Sequence, residues 1–279
     1  MSQVLGVFLA YRANPKDGIA WVTGASSGIG RAVAIELARR GYRVAATARR
    51  AAELETLVRL SNGSIHGFVG DVTECHQTSV LVASIEAELG PISLAFLNAG
   101  VAHLGAERAA FTTQTIAETF ESNVLGTANC LAPLLSVMQG RGSGQIAITA
   151  SLAGYAGLPG SSGYGPSKAA LINMAEALKL TYEPFGLTIQ VVCPGFVRTP
   201  MTDQEKKFTM PFIMEAGAAA QRICDGFERK GFEIAFPWQL VYSLKLLRFL
   251  PYSVRFWLID RILGKAERGG TARTPSDVD

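Results

Sequence analysis

The chain has 279 residues, of which 48% are hydrophobic and 18% are charged, and its formal net charge at pH 7 is +3. These values predict one large hydrophobic core and exclude a chain that is disordered throughout. A charge so close to balance, without a long block of lysine and arginine, also argues against nucleic acid as the main partner.

The cysteines and histidines are scattered, and no group of them has the spacing of metal ligands. We therefore predict no metal site, reduced cysteines and a cytoplasmic protein. The residues concerned are Cys75, Cys130, Cys193, Cys224, His66, His76 and His103.

Residues 1–17 are predicted to be an N-terminal extension. Its apolar stretch, Val4–Tyr11, is far shorter than the ~20 residues that a membrane-spanning helix needs. It also lacks a preceding basic region, so a secretory signal is a poor match. Two interpretations stay open: a short element that packs on the domain, or translation from an upstream start codon.

A glycine-rich turn, T-G-A-S-S-G-I-G at residues 23–30, joins the first predicted strand, Ile19–Thr23, to an amphipathic helix. Gly24 permits a sharp exit from the strand, Gly28 lets the backbone approach a pyrophosphate, and Gly30 lets the helix pack closely on the sheet. The spacing differs from the common dinucleotide fingerprint G-x-G-x-x-G. Its place between a strand and a helix nevertheless predicts a turn that binds phosphate at the helix N-terminus.

Two arginines follow the second predicted strand, Tyr42–Ala48. In a dinucleotide-binding fold this strand ends near the adenosine ribose, where an acid binds the 2′-hydroxyl and an arginine accommodates a 2′-phosphate. Arg49 and Arg50 occupy this place, and the nearest acid is Glu53 in the following segment. The charge favours NADP(H) over NAD(H). In the alternative interpretation both arginines are merely solvated.

Polar or small residues also end the third and fourth predicted strands, Ile65–Gly70 and Ser93–Leu97. Asp71 follows the third strand, where its carboxylate either bonds the adenine amine or caps the next helix. The fourth strand ends in N-A-G at 98–100, and small residues at such a place let a ligand lie against the backbone.

A long helix is predicted over Thr113–Met138, with the polar Asn123 among its apolar residues. A buried asparagine needs hydrogen-bond partners. Asn123 is either a satisfied core amide or a residue that holds water or a backbone carbonyl near the active site.

Three side chains with useful chemistry lie between the fifth predicted strand, Gln145–Thr149, and the helix that follows. The strand delivers Ser151, and Pro166, which is tolerated only in a first turn, places Tyr164 at the helix start. Tyr164 and Lys168 then share one helix face, and the ammonium is expected to lower the phenol pKa from about 10. A hydroxyl, such a phenol and a lysine suit a carbonyl that becomes an alcohol.

Strands and helices alternate to the end of a sixth predicted strand, Leu187–Cys193, which P-G-F-V-R-T-P follows at 194–200. This order predicts an α/β protein with a doubly wound parallel sheet, a Rossmann fold, in a single domain. Ligands bind at the carboxyl ends of the strands in such sheets. The residues named above therefore converge on one edge.

Together these motifs resemble those of the short-chain dehydrogenase/reductase family, over residues 19 to about 200. They occur in the family's order and spacing: T-G-A-S-S-G-I-G, Asp71-Val72, N-A-G, Asn123, Ser151, Y-G-P-S-K at 164–168 and P-G-F-V-R-T at 194–199.

The resemblance implies a catalytic tetrad. Tyr164 would be the acid and base, and Lys168 would lower its pKa and bind the nicotinamide ribose. Ser151 would orient and polarise the substrate carbonyl. Asn123 would anchor a water molecule of the proton relay.

The resemblance also implies a set of cofactor-binding residues. Ser27 and Ile29 would line the pyrophosphate, Arg49 would bind the 2′-phosphate, and Thr199 and the Val197 backbone would hold the carboxamide. The full set comprises Gly24, Ser26, Ser27, Gly28, Ile29, Gly30, Arg49, Arg50, Asp71, Val72, Asn98, Ala99, Gly100, Tyr164, Lys168, Pro194, Gly195, Val197 and Thr199.

The segments after residue 200 are predicted to form the substrate side. Met201–Met214 is an apolar, adaptable lid, Ala216–Arg229 is helical, and Phe232–Phe236 is the last strand. Trp238–Leu263 is rich in leucine and aromatic residues, carries interspersed basic residues and breaks at Pro251. It indicates two basic amphipathic helices that either pack over the cleft or a subunit interface, or lie on a membrane surface.

The predicted organisation is the extension 1–17, a Rossmann-fold domain 18–237, an apolar helical extension 238–264 and a disordered tail 265–279. The predicted function is NADPH-dependent reduction of a carbonyl in an apolar substrate, or the reverse reaction. The alternatives are an NAD-dependent alcohol dehydrogenase and a membrane-surface lipid-binding protein on the same fold. The family's usual pairing helices predict a homodimer or tetramer, and 238–263 offers peripheral membrane contact.

Overall fold

A parallel sheet of seven strands runs through the computed structural model, which describes residues 11–103, 106–107, 110–203 and 210–268, with side chains up to residue 261. The strands are β1 (Ile19–Thr23), β2 (Val44–Ala48), β3 (Ile65–Val69), β4 (Ile92–Leu97), β5 (Gly144–Thr149), β6 (Leu187–Pro194) and, after a separate two-stranded pair β7 (Val197–Arg198) and β8 (Met214–Glu215), β9 (Glu233–Phe236). Their order is β3-β2-β1-β4-β5-β6-β9.

The inner strands are mostly apolar and buried because both faces of the sheet are covered there, whereas the edge strand β3 is partly exposed. Every residue of β1 and of β6 is buried. The chain winds outward from β1 to β3, then returns to β4 on the other side of β1. The predicted α/β, doubly wound, single-domain Rossmann fold is confirmed, and the order reverses between β1 and β4.

Helices cover the two faces of the sheet. They are α1 (Gly28–Arg39), α2 (Ala51–Arg59), α3 (Cys75–Leu89), α4 (Thr113–Phe120), α5 (Gly126–Arg141), α6 (Tyr164–Tyr182), the short α7 (Pro200–Asp203), α8 (Ala216–Phe227), α9 (Trp238–Phe249) and α10 (Tyr252–Arg268). Residues of α3, α5 and α6 form one apolar core with the sheet. Residues of α1, α2 and α8 form the other.

The long helix predicted over Thr113–Met138 is interrupted in the structure. A π-helical turn, Glu121–Leu125, separates α4 from α5. Asn123 lies in this turn, is completely buried and bonds groups outside the helix. A π turn shifts the hydrogen-bond register of a helix and is frequent at functional sites. The bonds that Asn123 makes to groups outside the helix explain the interruption.

The described part of the N-terminal extension packs across the amino ends of the strands. The Ala13 amide donates to Gln145 Oε1 at 2.9 Å, and the Tyr42 hydroxyl donates to the Ala13 carbonyl at 2.8 Å. The Thr188 hydroxyl donates to the Tyr11 carbonyl at 2.6 Å. Residues 1–10, which hold most of the apolar stretch Val4–Tyr11, lie outside the described residues, so both interpretations of that stretch stay open.

The segments after residue 200 follow the predicted order. Within the predicted lid, residues 201–203 belong to α7, and 204–209 lie outside the described residues. Helices α9 and α10 meet at Pro251, and α10 continues to Arg268, inside the predicted tail. Residues 269–279 also lie outside. Within the described ranges, no helix is both long and apolar enough to cross a membrane.

Candidate active site

A cavity of about 530 Å³ opens at the carboxyl edge of the sheet, where the strand order reverses. It brings together nearly every residue of the predicted site. The lining includes Gly24, Ser26, Ser27, Gly28, Ile29, Arg49, Arg50, Asp71, Val72, Asn98, Ala99, Gly100, Ser151, Tyr164, Lys168, Pro194, Gly195, Val197 and Thr199. Gly30 and Asn123 lie directly behind this lining, against Gly24 and Gly100.

The glycine-rich turn forms a cradle that side chains would fill. Gly24 and Gly28 have φ angles of +67° and +55°, in the left-handed region that favours glycine. A Cβ on Gly30 would lie 2.4 Å from the Gly24 carbonyl oxygen, and one on Gly28 would lie 3.1 Å from Thr199 Cγ2. Helix α1 starts here without an acidic residue in its first turn. The cradle therefore fits a dinucleotide pyrophosphate.

The two arginines at the end of β2 contact different groups. Arg50 donates to the hydroxyls of Ser26 and Ser27 at 2.9 and 3.0 Å, and so spans from β2 to the glycine-rich turn. Arg49 is more exposed and lies 3.5 Å from the Asp71 carboxylate. Both guanidinium groups border the cavity at the place predicted for the adenosine ribose.

The Asp71 carboxylate is occupied by a turn that precedes α3. Its Oδ1 accepts hydrogen bonds from the Thr73 amide and hydroxyl at 3.0 and 2.9 Å. Burial acts to raise the pKa of Asp71, but these bonds and the Arg49 charge outweigh it, so the pKa is lowered. Of its two predicted roles, the cap of α3 does not fit, because the cap position is Glu74.

The N-A-G segment is fixed to β1. The amides of Asn98 and Ala99 both donate to Thr23 Oγ1, at 2.9 and 3.1 Å. A Cβ on Gly100 would lie 2.7 Å from Asn123 Oδ1 and 3.6 Å from Lys168 Nζ. Glycine at this position lets the backbone pass between the cavity and the residues behind it.

Ser151, Tyr164 and Lys168 meet at one end of the cavity. Lys168 is almost fully buried; its Nζ donates to the Thr149 carbonyl at 2.8 Å and lies 5.7 Å from the Tyr164 ring centroid. The Ser151 hydroxyl accepts from the Ala153 amide at 3.1 Å and acts to lower the pKa of the neighbouring Tyr164 phenol. Among the described residues the Thr149 hydroxyl is a buried polar atom without a hydrogen-bond partner, which a group bound in the cavity can satisfy.

The pKa shifts of Tyr164 and Lys168 differ from the sequence-based expectation. Burial raises the pKa of Tyr164, while the neighbouring Ser151 hydroxyl opposes this shift. Burial also lowers the pKa of Lys168, to about 8. Desolvation disfavours both charged forms, and it outweighs the attraction between ammonium and phenolate that spacing alone suggested.

Asn123 ties the segment after N-A-G to helix α6. Its Oδ1 accepts from the Val101 amide at 2.7 Å, and its Nδ2 donates to the Val101 carbonyl and to Ser167 Oγ, both at 3.0 Å. Protein groups thus satisfy the whole side-chain amide, as a core amide requires. Its role as the anchor of a relay water stays a prediction.

The arrangement combines a phosphate cradle with a hydroxyl, a phenol and a lysine, and residues 18–209 match the family described as short chain dehydrogenase. The chain belongs to the short-chain dehydrogenase/reductase family. The match covers more than half of the chain and includes all of the predicted site residues.

Relatives within the family match most of the chain. An uncharacterised oxidoreductase of Myxococcus xanthus is 35% identical over 236 residues, which are 83% of this chain and 92% of that protein. An acetoacetyl-CoA reductase of Rhizobium meliloti is 32% identical over 183 residues, 66% of this chain and 75% of that protein.

Solved structures of the family are similar over nearly the whole chain. A short-chain dehydrogenase of Sphingobium yanoikuyae, in complex with NADPH, has a TM-score of 0.73 and 25% identity over 94% of this chain and 100% of that chain. Other solved structures of the same fold include complexes with NAD. Enzymes of this family use nicotinamide cofactors, and this chain has the family's fold.

The motifs named above do not include Glu107, which the structure places at the start of α6. This buried carboxylate accepts hydrogen bonds from the amides of Gly163 and Tyr164, at 2.8 and 3.1 Å. Ser161 Oγ accepts the next one, from Gly165, at 3.0 Å. Side chains therefore satisfy the free amides of the first turn of α6. The contact spans more than fifty residues, and no local pattern signals it.

We expect Glu107→Ala to lower the free energy of unfolding by about 1 kcal/mol, as the loss of a helix cap does. Turnover should also fall, about tenfold, because Tyr164 sits in the turn that Glu107 fixes. Cofactor affinity should stay unchanged, and Glu107→Gln should recover part of the turnover. The measurements are urea unfolding, kcat and a fluorescence titration with cofactor, with the exposed Glu118→Ala as control. A loss of stability without a loss of kcat would reduce Glu107 to a structural cap.

The buried ammonium of Lys168 predicts a pH-dependent cost in stability. A lysine pKa lowered from 10.5 to about 8 destabilises the fold fully below pH 8, and the cost disappears as pH rises past 10.5. Lys168→Met should therefore stabilise the cofactor-free protein at neutral pH, by about 2 kcal/mol once the lost Thr149 hydrogen bond is deducted. Turnover should be abolished.

Urea unfolding near neutral pH and above the ordinary lysine pKa measures this difference. The gain from Lys168→Met should shrink at the higher pH. Lys179→Met removes a surface ammonium from the same helix and is the matched control. A gain that is independent of pH would show that desolvation of the ammonium is not its cause.

Proposed function

We propose that this short-chain dehydrogenase/reductase uses NADPH to reduce the carbonyl of an apolar substrate to an alcohol, or catalyses the reverse oxidation. The observation that carries the proposal is the meeting of Ser151, Tyr164 and Lys168 at the end of a cavity that begins at the glycine-rich turn. A bound nicotinamide supplies the hydride in such chemistry.

The protein groups provide the proton and the orientation. The Ser151 hydroxyl can donate to a substrate carbonyl oxygen and polarise it. The Tyr164 phenol, kept neutral by burial, can deliver its proton to the same oxygen as charge develops there. Lys168 lies 5.7 Å from the phenol ring, where its positive charge stabilises the phenolate that proton transfer leaves behind. Asn123, at the back of the site, would complete the relay.

The choice of NADPH is supported by the arginines at the end of β2. A 2′-phosphate placed there would meet the guanidinium groups of Arg49 and Arg50, which bind phosphate oxygens with geometry that matches. The Asp71 carboxylate is already engaged by Thr73 and Arg49, so it is a poor acceptor for a ribose hydroxyl. The alternative is an NAD-dependent dehydrogenase, in which both arginines are only solvated.

An apolar substrate is supported by apolar residues in and near the cavity. Val101 and Met201 line the cavity, Phe111 is exposed close to residues 108–109, and Phe212 and Ile213 are exposed close to residues 204–209. We also propose that the protein is cytoplasmic, because the described cysteines are free thiols. The proposal also includes a homodimer or tetramer that pairs through α4–α6, where Leu125 and Leu180 are exposed.

The test is a panel of soluble and apolar carbonyls, followed through the absorbance of NADPH and of NADH. We expect turnover with NADPH on apolar ketones, and alcohol oxidation with NADP. Saturable binding of lipids without any turnover across the panel would favour the alternative of a lipid-binding protein. A higher kcat/KM with NADH than with NADPH would favour the NAD-dependent alternative.

A further inference from the structure

Helices α9 and α10 both present large apolar side chains to solvent. On α9 the exposed residues recur every three or four positions, which places them on one side. They continue onto α10 across the Pro251 turn. This aromatic face consists of Trp238, Tyr242, Leu246, Phe249, Tyr252, Phe256 and Trp257, whose exposed fractions range from 57% to 85%.

The opposite side of α9 is fixed to the domain. Val241 is buried in the core, and Leu240 and Leu244 pack against it. Lys245 forms an ion pair with Glu233 on β9 and lies 5.5 Å from the Tyr155 ring centroid. The α9 part of the aromatic face therefore lies on a helix that is anchored to the domain from behind.

The charges around the aromatic face are mostly positive. Three arginines, Arg248, Arg255 and Arg261, accompany it, and Asp260 is the single acid between residues 238 and 261. The Arg255 guanidinium stacks on Tyr252 at 4.2 Å, and that of Arg261 stacks on Trp257 at 5.3 Å. Arginines beside exposed tryptophan and tyrosine form the pattern of surfaces that lie in a lipid headgroup region.

We propose that the aromatic face binds the surface of an anionic phospholipid bilayer. The aromatic and leucine side chains would enter the boundary between headgroups and acyl chains, and the arginines would meet the phosphates. A second copy of the chain is a weaker candidate. In a twofold contact this face would meet itself, bringing three arginines against three arginines with one acid on each side.

The position of α9 connects this surface with the site. Leu240 packs against Gly195, a residue of the cavity wall. A Cβ on that glycine would lie 3.3 Å from Leu240 Cδ1. One helix thus has the bilayer surface on one side and the cavity wall on the other. Membrane binding would place the active site beside apolar carbonyl compounds dissolved in the bilayer. This inference concerns where the protein acts and so goes beyond the proposed reaction.

The test is cosedimentation of the full chain with vesicles of phosphatidylcholine, with and without phosphatidylglycerol. Binding should require phosphatidylglycerol. The combined Phe249→Ser, Phe256→Ser and Trp257→Ser variant should lose at least about tenfold in partitioning. Replacing Arg248 and Arg255 with glutamine should lower vesicle partitioning about fivefold for each arginine. The control variant, Leu60→Ser with Val80→Ser, removes exposed apolar groups elsewhere and should bind as the parent does.

Light scattering and circular dichroism of the same preparations complete the test. Absence of vesicle binding by the parent chain, or binding that ignores phosphatidylglycerol, overturns the proposal. An oligomer that the serine variant dissociates, without vesicle binding, assigns the face to a second copy and also overturns it. These readouts do not depend on turnover, so the proposed reaction can fail while membrane binding stands.

Discussion

Tyr164→Phe should reduce kcat by a factor of roughly 10²–10⁴, the range associated with loss of a general acid. The change removes one hydroxyl and leaves the ring in place. The fold, the glycine-rich turn and the arginines are untouched, so the dissociation constant of NADPH should stay nearly constant. Single-turnover kinetics and a fluorescence titration measure the two quantities separately.

The raised pKa of Tyr164 adds a pH dependence with a definite sign. Carbonyl reduction uses the protonated phenol, which burial keeps populated at neutral pH. Alcohol oxidation needs the phenolate, so its rate should rise toward alkaline pH, while reduction should decline there. Both dependences should vanish in the phenylalanine variant.

Tyr182→Phe is the matched control, because it removes a phenol from the other end of the same helix. Near wild-type kcat in Tyr164→Phe, or an equal loss in the control, would contradict the assignment of Tyr164 as the acid.

Replacing Arg49 and Arg50 with alanine should change the cofactor preference. Each hydrogen bond to a charged phosphate contributes about 1.5–3 kcal/mol, so each replacement should raise the KM for NADPH about tenfold or more. The KM for NADH should change little. Arg50 also bonds Ser26 and Ser27, so its loss should loosen the glycine-rich turn for both cofactors to a smaller degree.

Steady-state kinetics with both reduced cofactors measure this preference. Arg59→Ala removes an exposed arginine from the far end of α2 and serves as control. Equal increases in the KM for NADPH and NADH would show that the arginines do not recognise a 2′-phosphate.

Much of the fold and of the cavity lining could be predicted from sequence, because the signals are local. Buried parallel strands are short apolar runs, and the turn after β1 needs glycine at positions where φ is positive or a Cβ would clash. Since parallel strands end at one edge, residues far apart in sequence could be placed in one cleft.

The rest depends on tertiary contacts that no local pattern contains. The π turn at Asn123 follows from its bonds to Val101 and Ser167, and Glu107 acts on a helix more than fifty residues away. The pKa of Tyr164 depends on how fully its surroundings exclude water, whereas the spacing to Lys168 reports only proximity.

The ion pair between Lys245 and Glu233, with Tyr155 beside it, has a consequence for recombination between relatives. Tyr155 lies four residues after Ser151, Glu233 lies on the last strand, and Lys245 belongs to the C-terminal helices. A chimera that takes only the residues after the last strand from another family member would bring a helix without its docking partners. A chimera that exchanges the C-terminal helices between relatives therefore has to include matching residues at positions 155 and 233, here Tyr155 and Glu233.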